Sequence, residues 1–92
     1  MLSETLLRLL NEQIGHEFES ANLYLQMSSW CATNGFEGCA SFFREHSHEE
    51  MEHMFRVFDY VNEAGGMATV PQLAKPRDQF ESIREVFDAT LE

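Results

Sequence analysis

The sequence predicts an all-α chain: one long antiparallel helix hairpin, a long crossover and the start of a third helix. Three observations carry that expectation. Both prolines, Pro71 and Pro76, fall in one segment, so residues 3–33 and 36–64 hold no helix-breaking imino acid. Within those two stretches apolar residues recur at spacings of three and four, the period of one helix face. Asn34-Gly35 and Gly65-Gly66, built from the residue types best able to take positive φ, stand at their ends. At 92 residues the chain holds one small domain at most.

The first helix is expected over about 3–33. Ser3 is a good N-cap, and Glu4 after it complements the positive end of a helix. Leu7, Leu10, Ile14, Ala21, Tyr24, Ser28 and Cys31 form one face. In the gap of that stripe, where an apolar residue is demanded, the sequence supplies Glu17. A second stripe of Leu6, Leu9, Leu23, Met27 and Trp30 lies on another side. A two-helix hairpin cannot bury both, so one stripe is expected to meet another subunit.

The second helix is expected over about 36–64. Its stripe runs Phe36, Ala40, Phe43, Ser47, Glu50, Met54, Val57, Val61 and Ala64. Ionisable groups interrupt it too: Glu50, with His53 one turn on. Each helix would be about 43 Å long, and the short turn between them dictates antiparallel packing.

The crossover is expected over about 65–81, too long for a tight reversal. Extended, it reaches roughly 50 Å, a full helix length. It should return along the hairpin and start the third helix, over about 82–92, parallel to the second. Ser82-Ile83-Arg84-Glu85 is a capping box, and Ile83, Val86, Phe87, Thr90 and Leu91 form an apolar face. So short a helix does not stand alone, and the sequence reads as cut within it.

Sixteen Asp and Glu against six Lys and Arg give a formal charge of −10. Such a chain repels phosphate backbones and anionic lipid, so neither nucleic acid nor a membrane is an expected partner. Cations are. No apolar run approaches the roughly 20 residues of a membrane span, and the N-terminus lacks a basic leader. Cys31 and Cys39 make neither a disulfide framework nor a zinc-finger set; they read as small core thiols in a reducing cytoplasm.

In an antiparallel hairpin, residues equally far from the turn lie level. Glu17 and Glu50 are equidistant from the Thr33–Asn34 junction, so both face inward at mid-height. His53 lies about 4.5 Å further along the axis. Bare charges in a helical core are costly, and a divalent or trivalent metal resolves the conflict. Mixed carboxylate and imidazole donors suit iron or manganese better than calcium or a thiolate-bound zinc. Spacing alone leaves open a buried ion pair at these positions and a solvated acidic face for Glu45, Glu49 and Glu52.

Glu17, followed by Glu50-Met51-Glu52-His53 as Glu-x-x-His on a second long helix and then a long crossover, resembles the ferritins. Asn11-Glu12-Gln13, Tyr24 and Phe36-Glu37-Gly38 are most similar to the bacterial non-haem ferritins. The resemblance spans the whole chain but only about the first half of a ferritin subunit. It implies a ferritin-like four-helix bundle, iron storage and detoxification, and a cytoplasmic homo-oligomeric cage. The implied reaction is oxidation of Fe²⁺ by O₂ or peroxide at a diiron ferroxidase site, with ferric mineral deposited inside. By the same resemblance Glu17 is the terminal carboxylate of the first iron, Glu50 the bridging carboxylate and His53 the imidazole on the first iron. Tyr24 stands beside the diiron centre without binding iron, and Glu49 is a ligand to a third, accessory iron.

Met51 occupies the position of the haem-binding methionine of bacterioferritins, but non-haem ferritins carry methionine there as well. The implied iron is therefore non-haem Fe²⁺/Fe³⁺. His46 has no ligand counterpart in the family pattern, and His16 and His48 are expected at the surface. The third-helix glutamate would fall two residues beyond Glu92, and the fourth-helix ligands are absent. Two other readings stand beside this one. A half-ferritin, similar in logic to the two-helix encapsulated ferritins, would build a symmetric diiron site from two hairpins. A catalytically silent fragment would use its helices for packing alone.

Overall fold

The Ser3 hydroxyl accepts the Leu6 amide at 3.1 Å and so satisfies one of the free donors that open any helix. From there α1 runs over Glu4–Thr33. It stops at a residue that can turn left-handed: Gly35 has φ +85°, and the Phe36 amide reaches back to the Cys31 carbonyl at 2.8 Å. After the turn, α2 spans Glu37–Glu63. Its end repeats the device, with Gly65 at φ +91° and the Gly66 amide on the Val61 carbonyl at 3.0 Å. α3 covers Ile83–Ala89, capped by the Ser82 hydroxyl on the Glu85 amide. This computed structural model describes residues 2–91, and among them there are three helices and no strand.

The two long helices lie antiparallel and make an elongated body of 49 × 19 × 19 Å. Two buried serines hold their register. The Ser47 hydroxyl donates to the Ala21 carbonyl at 2.7 Å, and the Ser28 hydroxyl to the Ala40 carbonyl at 2.6 Å. Small hydroxyls suit these positions because they let the backbones approach and spend their donors across the interface. Apolar clusters sit at either end. Ile14, Met54 and Val61 pack with Leu7, Leu10 and Val57 at the open end. Met27, Cys31 and Phe43 pack with Phe80, Val86 and Ala89 at the turn end. Mid-height, between the clusters, is left to the polar side chains.

Residues 64–82 cross back along α1 without regular secondary structure beyond turns. The Asn11 amide clamps the start, donating to the Met67 carbonyl at 3.2 Å and accepting the Thr69 amide at 2.9 Å. Further on, Phe80 meets Trp30 edge-on at 5.8 Å between centroids. This path corrects the expectation that a whole apolar stripe awaits another subunit. Met27 is fully buried, and Leu23 and Trp30 half-buried, against Phe80, Ile83, Val86 and their neighbours in the same chain. Only the lower part of the stripe, Leu6 and Leu9, stays exposed. Phe87 likewise finds its partner within the chain, 5.0 Å from the Phe43 ring. α-Helical bonding stops at Ala89, and the Thr90 and Leu91 amides bond to Phe87 and Asp88, three residues back. Glu92, the last residue of the expected helix, lies outside the described residues.

The buried serine bonds generate a prediction. Ser47→Ala should cost about 1 kcal/mol, a net buried hydrogen bond, and lower Tm by about 4–8 °C. Ser41→Ala, on the exposed side of the same helix, should leave Tm unchanged. Equal melting curves for the two variants would show that the serines do not hold the register.

Candidate metal centre

Glu17 comes from the middle of α1, and Glu50 and His53 from the middle of α2, one turn apart on one face. The serine-held register brings them together. One ligand atom from each of the three lies within 4.8 Å of the others. Glu17 Oε2 is 3.9 Å from His53 Nδ1, and the Glu17 side chain is 16% exposed against 52% for His53. The carboxylates are thus tucked between the helices, while the imidazole rims the opening.

Two carboxylates this close cannot both ionise cheaply without a cation between them. A hydrogen bond to Glu17, reinforced by burial and by the Glu17 charge, pushes Glu50 up to about 7. The same bond, seen from the accepting side, holds Glu17 below the usual carboxylate range, helped by the Gln13 amide and by His53. The two acids are therefore driven apart in proton affinity, Glu50 upward and Glu17 downward. Gln13 is a residue that the sequence reading assigned no part in the site. Its Nε2 donates to Glu17 Oε1 at 2.8 Å. The signal was its position one turn before Glu17, where an amide reaches an acid on the same face.

The other candidates lie outside this trio. Tyr24 is stacked on Phe43 at 6.2 Å, with the His46 ring 5.5 Å away. His46 in turn lies 4.4 Å from Phe42, so this imidazole belongs to an aromatic cluster. Glu49 is exposed and borders a shallow groove with Glu45, His48 and Glu52. It is near enough to Glu50 to raise that residue's pKa further. His16 and His48 are exposed, and His48 Nε2 pairs with Glu52 at 3.3 Å. Met51 packs against the Ile14–Met54–Val61 cluster. Cys31 is a buried free thiol, raised by desolvation, and Cys39 is half-buried beside it.

Comparison with known proteins gives this chain a family. The Ferritin-like domain matches residues 7–92. A probable bacterial non-heme ferritin-like protein of Haemophilus influenzae is 48% identical over the whole chain, which covers 56% of that protein. A bacterial non-heme ferritin of Campylobacter jejuni is 40% identical, with 100% of this chain and 55% of that protein covered. Among solved structures, Chlorobium tepidum ferritin superposes with a TM-score of 0.92 at 45% identity, over 97% of this chain and 55% of that one. An open pore ferritin from Archaeoglobus fulgidus gives 0.91 at 32% identity, with the same coverage of 97% and 55%. The chain spans about half the length of the relatives it matches. It belongs to the ferritin-like domain family, and its fold is the all-α ferritin fold.

The raised Glu50 makes metal-free stability depend on pH. Glu50 is raised from an ordinary 4.5 to about 7, so between those values the native state holds a proton that the unfolded chain has released. Its contribution is complete below 4.5 and is lost as pH rises through about 7. Glu50→Gln keeps a hydrogen-bond donor at every pH. Melting curves from pH 5 to 8 without metal should show the wild type losing stability relative to Glu50→Gln across this window. Parallel curves would mean that Glu50 is not raised.

Proposed function

We propose that this chain binds Fe²⁺ through Glu17, Glu50 and His53 and contributes those residues to a diiron ferroxidase site that feeds iron storage. Membership of the ferritin-like family supports iron storage in general. The observation that carries the finer reading is the convergence of two carboxylates and an imidazole within 4.8 Å between two helices. Hard anionic oxygens favour Fe³⁺ over Fe²⁺, so such donors lower the cost of oxidation, and the redox chemistry belongs to iron as substrate.

Each residue has a separate task in this reading. Glu17 and His53 hold one ion, and Glu50 is the carboxylate that bridges to a second. A cation entering beside Glu50 favours its ionised form, so uptake releases up to one proton. Fe²⁺ gives up one electron, whereas O₂ needs two to reach peroxide, which is why a paired site is required. Paired carboxylate sites in helix bundles draw one Glu from each of two helices and a Glu-x-x-His from each of two others. The three residues here make half of that set. Tyr24, seated against Phe43 and His46, is proposed to stand beside the centre, and Glu49, on its exposed groove, to take a third, accessory iron. The excess of acid over base draws cations toward the whole surface.

A homo-oligomeric assembly belongs to the same proposal. Leu6, Leu9, Leu25 and Phe55 are all at least 42% exposed. Apolar residues left open along a helix pair fit subunit contacts. Among the described residues no helix is long and apolar enough to cross a membrane.

Two outcomes are expected. Glu50→Ala should weaken Fe²⁺ or Co²⁺ binding by more than about 100-fold, beyond the usual effect of losing a supporting residue. Glu63→Ala, exposed at the end of α2, should not. Equal weakening, read by calorimetric titration, would show that the acidic surface merely condenses cations. In sedimentation at micromolar concentration the chain should run as a dimer or larger. A single well-folded monomer would refute the assembly.

A further inference from the structure

Glu17 has two carboxylate oxygens, and the structure gives them different work. Oε1 accepts the Gln13 Nε2–H at 2.8 Å. Oε2 faces His53 Nδ1 at 3.9 Å, and Glu50 completes the trio of donors within 4.8 Å. The geometry assigns Gln13 as the positioning residue that ties back Oε1 of Glu17 and so presents Oε2 alone to the cation. This inference rests on the metal reading of the Glu17–Glu50–His53 trio.

The residue type fits that task. An amide donates a hydrogen bond without adding charge, so Glu17 keeps its full negative charge for the metal. A lysine or arginine at the same place would donate as well, but would repel the incoming cation at close range. Gln13 reaches Glu17 along one helix, a single turn away, so the bond survives any adjustment between α1 and α2. It also limits the modes open to Glu17. A carboxylate with one oxygen held this way binds an ion through the other oxygen, whereas a free one can swing to chelate with both. Losing a group that orients a metal ligand in this manner costs about 10–100-fold in metal affinity. Among the described residues, no amide plays for Glu50 the part that Gln13 plays for Glu17.

The test uses the 92-residue chain with Co²⁺ as the probe, titrated by its visible absorption bands, which report coordination number and geometry. Gln13→Met removes the donor at nearly constant volume from an exposed position, so the fold should be untouched. Expected are an affinity about tenfold weaker and a changed Co²⁺ spectrum, because Glu17 then binds through both oxygens. In a Glu17→Ala background, Gln13→Met should cause no further loss, since its effect passes through Glu17. Wild-type affinity and spectrum for Gln13→Met, beside a clear loss for Glu17→Ala, would overturn the positioning role and leave the metal centre standing. An equal loss from Gln13→Met with and without Glu17 would overturn it too. Wild-type binding by Glu17→Ala would overturn the metal centre itself, and the role of Gln13 with it.

Discussion

Two buried hydroxyls, Ser47 on the Ala21 carbonyl and Ser28 on the Ala40 carbonyl, hold α1 and α2 at one register. The rest of the arrangement depends on that constraint. A slip by one turn would move Glu17 about 5.4 Å along the axis from Glu50 and scatter the three donors. It would also part Ile14 from Met54 below and Met27 from Phe43 above, so the apolar clusters and the polar middle specify the same register. Agreement between packing and polar placement marks a sequence with one folded answer.

Holding two acids against each other conflicts with burial, and the chain resolves the conflict in two stages. Without a cation, Glu50 is pushed up to about 7 while Glu17 stays below the usual carboxylate range. In the proposed function a cation between the two acids relieves the same conflict. The apolar ends supply the stability that lets the middle stay polar, and the exposed imidazole of His53 leaves that middle open to solvent. An opening of this kind is what a site requires if ions must enter and depart.

The crossover does more than connect. Its asparagine clamp at Asn11 and its aromatic contact at Trp30 bind it along α1, and α3 then closes the turn end over Met27, Cys31 and Phe43. Apolar surface that a bare hairpin would expose is thereby covered from within the chain. Leu6, Leu9, Leu25 and Phe55 stay exposed, and these are the residues with apolar area still to offer.

Much of this was legible in the sequence. Asn34-Gly35 marked a turn because only a few residue types take positive φ, and Gly35 does take it. Glu17, Glu50 and His53 stood out because an acid or imidazole in an apolar stripe is a local contradiction visible without coordinates. Helical periodicity is a property of neighbours along the chain, so sequence carries it. Tertiary structure decided the rest. The side of the hairpin taken by the crossover is set by contacts between residues far apart, such as Asn11 with Thr69 and Trp30 with Phe80. Periodicity cannot report those, and so the stripe through Met27 and Trp30 read as a face for another subunit. The approach of Glu17 to His53 and its repulsion with Glu50 are likewise matters of ångströms. They arise only when the register has brought the side chains into reach, because hydrogen bonds and charge repulsion between groups on different helices have no meaning until the helices are packed.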